Sequence, residues 1–249
     1  ADPGILAKYE LSGFIRQRYK VALTGDGGDE YFLGYLVFKA EQIARIAKHL
    51  PPFIFQHLIQ PLSEKIPAGF GYMPLDFMLK NFIRGFSVPD HLRFTGWTQS
   101  LAPGMLAEIM QDFRENESTI RETESFLEKI YKSAETCHPL DKLAYLIQRT
   151  YLPGYILPNS DRASMLQSVE LRAPLLDVQL TRYLNSFSAD EKMKNLTLKS
   201  KMKTLAEEYL PRDVIYRKKM GFTVPLAELM RTRFHAEFER VFEPRLLEK

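Results

Sequence analysis

Residues 21–30, Val-Ala-Leu-Thr-Gly-Asp-Gly-Gly-Asp-Glu, decide the fold because they connect a short strand to a helix through a tight turn. The run from Val21 to Thr24 favours a β-strand, and a helical pattern extends from Tyr31 to Leu50. Such a junction directs backbone N–H groups and the positive end of the helix dipole at one place, which suits a phosphate. A plain turn between a strand and a helix explains the same residues. On this stretch alone, both interpretations stay open.

The turn itself contains two kinds of group that suit a nucleotide. Gly25, Gly27 and Gly28 permit positive φ and a close approach of the backbone. Asp26 and Asp29 add acceptors that could hold Mg²⁺ against phosphate oxygens. The turn therefore has the composition of half of a nucleotide site.

The strand at Val21 to Thr24 is the one strand that the sequence predicts clearly. A single strand cannot satisfy its own ladder hydrogen bonds, and the rest of the sequence hardly supplies a neighbour. We expect exposed apolar surface beside Val21 and pairing of this edge with another copy, hence a possible homodimer.

The remainder of the chain is predicted to be helical. Prolines and glycines divide residues 53–104 into short helices, and apolar positions from Leu140 to Tyr151 recur at intervals of three and four. The many aromatic side chains of residues 70–97 are expected to pack in a core rather than to stack on bases, because basic residues among them are sparse. No Pro/Gly/Ser linker interrupts the chain.

Composition excludes several classes of function. The chain has 249 residues, of which 45% are apolar, and Lys plus Arg (34) nearly balance Asp plus Glu (31), so neither a nucleic acid nor an anionic membrane is indicated as partner. No apolar run is long enough to cross a membrane. The single cysteine, Cys137, predicts a cytoplasmic protein without disulfides. The scattered histidines and the absence of Gly-x-Ser-x-Gly argue against a histidine metal site and a serine hydrolase.

A second informative stretch, residues 157–177, alternates charged with apolar residues. Charges in such a pattern border buried surface and usually pair. One interpretation is a buried ion-pair network of Glu170, Arg172 and Asp177 that fixes a loop between helices. The residues better placed to reach a ligand are Arg162 and Ser164.

The third stretch, residues 216–225, reads Tyr-Arg-Lys-Lys-Met-Gly-Phe-Thr-Val-Pro. Three consecutive cations before a glycine are typical of a solvated basic loop. A lysine held on such a turn could instead balance the negative charge of a departing pyrophosphate. The spacing alone does not decide between the two.

Taken in order, the three stretches resemble the synthetase domain of glutamine-hydrolysing asparagine synthetases, from Asp2 to about Pro225. The resemblance implies a mostly α chain that is the C-terminal helical part of an α/β ATP-pyrophosphatase (adenine nucleotide alpha hydrolase-like) domain with one retained core β-strand. Residues 1–50 would be a remnant of the nucleotide-binding core, and residues 51–249 the helical body of the same domain.

The resemblance also implies a reaction. ATP would activate aspartate to β-aspartyl-AMP with release of pyrophosphate, and ammonia from glutamine would then give asparagine. Asp26 would serve the acyl-adenylate, Asp29 would bind Mg²⁺, and Lys219 would face the pyrophosphate. The implied ATP contacts are Thr24, Gly25, Gly27 and Gly28. The implied substrate contacts are Arg162, Ser164, Glu170 and Arg172.

The sequence departs from the family pattern in three respects. Asp26 stands where the family commonly has Glu, and the shorter side chain also fits relatives that amidate or cyclise other carboxylates, such as amidotransferases of polysaccharide or peptide synthesis and β-lactam-synthetase-like cyclases. The Ser-Gly-Gly-x-Asp-Ser pyrophosphate loop and the glutaminase domain are absent from this chain. We therefore expect little turnover from the chain alone. A non-catalytic helical interaction domain is the alternative of another class.

Overall fold

Helices account for most of the computed structural model, which describes residues 4–49, 75–98, 117–217 and 232–241 and the single residues 61, 66, 224 and 229. The helices are α1 Gly4–Arg16, α2 Gly28–Tyr31, α3 Leu36–Ala47, α4 Leu75–Phe86, α5 Arg93–Thr98, α6 Glu117–Lys132, α7 Pro139–Arg149, α8 Leu157–Met165, α9 Val178–Asn185, α10 Ala189–Lys192, α11 Ser200–Ala206, α12 Arg212–Ile215 and α13 His235–Val241. Short 3₁₀ turns at Asp90–Leu92 and Pro174–Leu176 and a π-helical turn at Leu152–Ile156 connect some of them. The strands are β1 Val21–Leu23 and β2 Glu170–Arg172.

The chain divides into two compact units. Unit 1 draws on Ala1–Ala22, Asn159–Arg172 and Lys219–Lys249, and unit 2 on Leu23–Pro158 and Ala173–Lys218. The predicted boundary between residues 1–50 and 51–249 concerns parts of one domain and stays a prediction. Within the described ranges, none of the helices combines the length and hydrophobicity needed to span a bilayer.

The prediction of one unpartnered strand is wrong. β1 pairs with β2 in a two-stranded parallel sheet, and the Glu170 N–H donates to the Lys20 carbonyl at 2.8 Å beside it. Val169, fully buried, anchors the entry to β2. A three-residue strand carrying two charges is too short for its alternation to be recognised in a sequence, and so it resembles a loop.

Unit 1 is held by polar contacts as well as by the sheet. The Lys8 ammonium donates to the Ser160 hydroxyl at 2.9 Å, which ties α1 to α8. Exposed apolar side chains of unit 1 include Phe14 (71%) on α1, Tyr19 (65%) just before β1 and Val21 (41%) on β1. The expected exposure of apolar surface beside Val21 is thus confirmed, while self-association through it stays a prediction.

The predicted long helix from Tyr31 to Leu50 is interrupted. α2 ends at Tyr31 after a single turn, and α3 begins at Leu36. Between them Leu33 adopts a left-handed backbone (φ 54°) with its side chain fully buried. Burial of this leucine in the core outweighs the cost of the left-handed conformation, which a helical pattern of apolar residues does not reveal.

The core of unit 2 is built around α7. Its apolar face contributes the buried residues Leu140, Leu143, Ala144 and Ile147, as the spacing predicts, and Leu146 is buried beside them. Phe38, Phe94 and Trp97 belong to the same core cluster as these leucines. For Phe94 and Trp97 the expected packing role is confirmed, and Phe82 and Phe86 pack against the same cluster. Phe77 is 48% exposed, which differs from the expectation. Phe70 and Tyr72 lie outside the described residues.

A buried ion pair joins α3 to α5 in unit 2. Arg93 Nη1 lies 2.8 Å from Glu41 Oε1, and both side chains are only 3% exposed. Arg93 Nη2 also lies 2.9 Å from Asp90 Oδ1, and Asp90 reaches the exposed Lys48 at 2.9 Å. Burial raises the pKa of the Glu41 carboxyl, and Arg93 opposes that rise.

Candidate functional site

The Gly-rich turn between β1 and α2 has the tight geometry that its sequence predicts. Gly27 takes a positive φ of 90°, and the Gly28 N–H donates to the Gly25 carbonyl at 3.1 Å. Gly25 and Gly28, which the sequence also permits to take positive φ, do not do so. The conformational freedom of glycine is therefore required at Gly27.

There is also little space for a side chain at positions 27 and 28. A Cβ on Gly27 would overlap the Leu176 side chain, and a Cβ on Gly28 would lie 3.0 Å from Leu175 Cδ1. The turn thus packs closely against the 3₁₀ turn Pro174–Leu176. The close approach expected of these glycines is made to protein, and their contact with ATP stays a prediction.

Thr24 and Asp26 form a small polar group on the exposed side of the turn. The Thr24 hydroxyl donates to Asp26 Oδ2 at 3.0 Å, and the Asp26 N–H points to the same hydroxyl at 3.4 Å. Both residues are half-buried, and Gly25 between them is exposed. The Thr24 hydroxyl, the Asp26 carboxylate and the exposed Gly25 backbone therefore lie together in the turn.

The charge at Asp29 is balanced by a residue that the sequence analysis missed. Lys199 Nζ lies 2.7 Å from Asp29 Oδ1, and the two side chains are 27% and 23% exposed. Lys199 has a left-handed backbone (φ 56°) at the position before α11. It lies in a lysine-rich segment without a motif, so no signal in the sequence singles it out.

Gly34 leaves the space that this ion pair occupies. A Cβ at Gly34 would overlap both the Asp29 carboxylate and the Lys199 side chain, and the Gly34 N–H donates to the Asp29 carbonyl at 2.8 Å. The interruption between α2 and α3 thus brings a residue without a side chain against the pair. The break between α2 and α3, which the helical pattern did not predict, therefore makes room for the Asp29–Lys199 pair.

Glu30 connects the Gly-rich turn to the core of unit 2. It is 1% exposed and accepts a hydrogen bond from the Tyr35 hydroxyl at 2.5 Å, while Gln148 on α7 donates to its main-chain oxygen at 3.3 Å. Burial raises the pKa of the Glu30 carboxyl, and the hydrogen bond from Tyr35 opposes that rise. Glu30 thus fixes the turn on the core.

The expected helix-dipole contribution is weaker than the sequence predicted. α2 comprises four residues, Gly28–Tyr31, so the aligned peptide dipoles are those of a single turn. Positive charge at the site comes instead from the Lys199 ammonium, which would lie 3.6 Å from a Cβ on Gly28.

The side chains of the turn do not by themselves assemble a metal site. Asp29 faces Lys199, Asp26 faces Thr24, and no group of three or more His, Cys, Asp or Glu side chains suited to a metal occurs among the described residues. Mg²⁺ commonly takes one or two protein carboxylates and completes its coordination with substrate phosphates and water. Asp26 and Asp29 are thus the carboxylates that the turn could contribute to a metal site.

The candidate residues of the second stretch belong to unit 1. Glu170 Oε1 pairs with Arg172 Nε at 2.8 Å on β2, but the two side chains are 56% and 63% exposed, so the predicted buried network is wrong. Asp177 instead caps α9 by accepting from the Leu180 N–H at 2.9 Å. Strand alternation places Glu170 and Arg172 on one solvent face, which explains their exposure.

Arg162 and Ser164 lie on α8, where they face different surroundings. Arg162 is exposed, whereas Ser164 is fully buried and its hydroxyl donates to the Asp161 carbonyl at 3.1 Å. Their substrate roles stay predictions, as do those of Glu170 and Arg172. Lys219 lies outside the described residues.

The chain is similar to asparagine synthetases and to fungal amidases. The family model described as asparagine synthase matches residues 1–249. A putative glutamine-hydrolysing asparagine synthetase of Mycobacterium bovis is 26% identical over 93% of this chain and 34% of its own length. Asparagine synthetase 1 of Bacillus subtilis, also named as glutamine-hydrolysing, is 26% identical over 94% of this chain and 35% of its own length. The amidase chyE of Penicillium rubens is 26% identical over 80% of this chain and 30% of its own length. No solved structure matched significantly.

Proposed function

Because the chain belongs to the asparagine synthase family, an ATP-dependent ligase family, we propose that its full gene product joins nitrogen to a carboxylate that it first activates as an acyl-adenylate. The chain spans about a third of the length of the asparagine synthetases it matches, so the complete reaction is proposed for the full gene product. The proposed acceptor is aspartate, the proposed nitrogen source is ammonia from glutamine, and the products are asparagine, AMP and pyrophosphate.

The observation that carries this proposal is the pairing of opposite charges on the Gly-rich turn. The turn supplies the Thr24 hydroxyl and the carboxylates of Asp26 and Asp29. Lys199, which pairs with Asp29, adds an ammonium. A plain structural corner requires glycines but has no need of this set of groups. The set suits a triphosphate with its metal ion.

We assign the phosphate-facing charge to Lys199 together with Lys219. In the ion pair, Lys199 and Asp29 neutralise each other, and MgATP would offer each of them a partner of opposite charge. The ammonium would bind phosphate oxygens, and the Asp29 carboxylate would bind the Mg²⁺ that enters with the nucleotide. Cations near the leaving pyrophosphate stabilise the charge that builds up there.

We assign Asp26 to the acyl-adenylate step. Its carboxylate is half-buried and held by the Thr24 hydroxyl at 3.0 Å, so it is oriented but still accessible. In the transition from acyl-adenylate to amide, the attacking ammonia must lose a proton, and a positioned carboxylate can accept it.

A second candidate function keeps this chemistry and changes the acceptor. Asp26 is one methylene shorter than the Glu common in asparagine synthetases, and two fungal amidases are among the similar proteins. A shorter base suits a bulkier acceptor carboxylate, as in an amidotransferase or a β-lactam-forming cyclase.

The test is product analysis with the purified full gene product. We expect incubation with aspartate, glutamine and MgATP to yield asparagine and AMP in equal amounts, measured by mass spectrometry, and omission of aspartate to abolish AMP formation. AMP formation with another carboxylate but not with aspartate would support the amidotransferase or cyclase. Failure to bind MgATP by calorimetry would reject both and favour a non-catalytic interaction domain.

A further inference from the structure

Lys192, at the end of α10, is a buried cation without a counter-ion at contact distance. The residue is 3% exposed, and its ammonium makes no hydrogen bond or ion pair within 4.0 Å to any residue that the structure describes. Burial lowers the pKa of the ammonium, and the more distant charges of Asp141 and Glu191 oppose that shift. The side chain borders a pocket that solvent can enter, where the charge of a ligand could balance that of the ammonium.

The side chain of Lys192 lines a cavity of unit 2. The cavity has a volume of about 650 Å³, within the range of small-molecule sites. Its walls come from α7, from the segment before α7 and from the α9–α10 connection. The polar groups among its lining residues include those of Ser133, Thr136, Asp141, Gln148, Asn185 and Lys192. None of them belongs to the set proposed to bind MgATP.

The charges of the cavity define the class of ligand. A carboxylate is the natural partner of the Lys192 ammonium. Asp141 lines the same cavity, and Glu135 lies at its exposed margin, so a purely anionic ligand would be repelled. Asp141 is only lightly engaged, with Oδ2 3.4 Å from the Ala189 nitrogen and 3.7 Å from His138 Nδ1. A cationic group on the ligand would therefore find an acceptor there.

The amides of the cavity add a polar subsite. Gln148 and Asn185 face each other with two nitrogen-to-oxygen distances of 3.4 Å, which is long for hydrogen bonds. Such a pair can exchange one mutual bond for a shorter bond to a ligand hydroxyl or amide. Tyr145 and Phe187 provide the apolar part of the wall.

We propose that this cavity binds a small zwitterionic α-amino acid with a polar side chain, its carboxylate on Lys192 and its ammonium group toward Asp141. The proposal is independent of the proposed function, because it uses none of the residues assigned to ATP. L-serine and L-asparagine are the probes that match the size and polarity of the cavity.

The test is isothermal titration calorimetry of the purified full chain with L-serine and L-asparagine, and with acetate and methylamine as single-charge controls. We expect both amino acids to bind more tightly than either control. Lys192→Met should weaken amino-acid binding by about tenfold or more, since a charge-assisted hydrogen bond is lost. The matched control Lys194→Met, which changes an exposed lysine of the same segment, should leave binding unchanged.

The variant Asp141→Asn tests the proposal even if Lys192→Met does not fold. Asp141→Asn retains the size and the hydrogen-bonding capacity of the side chain but removes its charge. It should abolish the preference for amino acids over acetate, because the ligand ammonium loses its acceptor and acetate is repelled less. The proposal is overturned if the wild-type chain binds no amino acid at millimolar concentration, if Lys192→Met binds as wild type, or if Asp141→Asn retains the preference.

Discussion

Replacing Asp29 with Asn is expected to lower AMP formation by the full gene product by about 10²- to 10³-fold, the range typical of removing a preorganised electrostatic group. The substitution preserves size and hydrogen bonding but removes the charge that balances Lys199 at 2.7 Å. It also removes the carboxylate proposed to meet the metal of MgATP. The loss should appear as release of AMP measured with saturating aspartate, ammonia and MgATP.

Controls separate this loss from unfolding and from general charge effects. Asp190→Asn changes a side chain that is 75% exposed and should retain near-wild-type AMP formation. Lys199→Met should reduce AMP formation too, and the double variant should lose less than the product of the single losses, because the two residues act as a pair. An Asp29→Asn protein that folds normally and retains its activity would refute the assignment of Asp29.

The second large effect concerns stability. Arg93→Met is expected to lower the free energy of unfolding by about 3–5 kcal/mol, because it leaves the 3%-exposed Glu41 carboxylate buried without its partner. The deficit should shrink at acid pH. Without Arg93, nothing of its charge opposes the rise that burial causes in the pKa of the Glu41 carboxyl. As pH falls, the carboxyl is protonated in the folded protein, and the cost of a buried charge disappears. Denaturant unfolding followed by circular dichroism gives the free energy.

Two further variants show whether the buried charge is the cause. The exposed pair of Lys48 and Asp90, with side chains 43% and 39% exposed, serves as the matched control, and Lys48→Met should cost no more than about 1 kcal/mol. Adding Glu41→Gln to Arg93→Met should recover part of the loss, since an amide is cheaper to bury than a carboxylate. Equal losses in Arg93→Met and Lys48→Met would contradict the explanation.

The sequence identifies the turn because its residues act locally. Gly27 needs a positive φ wherever a strand turns this sharply into a helix, and the Thr24–Asp26 contact spans two residues. Periodicity identifies the buried face of α7 for the same reason, since a helix repeats its own geometry.

The features that the sequence could not predict depend on distant residues. Lys199 reaches Asp29 across a sequence separation that no motif spans, and Gly34 is needed only because that pair occupies its space. The break at Leu33 follows from burial of its side chain in a core assembled from other helices. β2 is too short to show strand alternation, so the neighbour of β1 was not recognised.

We propose that the Gly-rich turn belongs to a site that adenylates a carboxylate. Aspartate-dependent exchange of labelled pyrophosphate into ATP tests it most directly, because exchange requires reversible formation of an acyl-adenylate and does not require ammonia. We expect the full gene product to incorporate the label when aspartate and Mg²⁺ are present, and Asp29→Asn to abolish incorporation. Formation of ADP and phosphate in place of exchange, or no exchange with any carboxylate under conditions where MgATP binds, would contradict it.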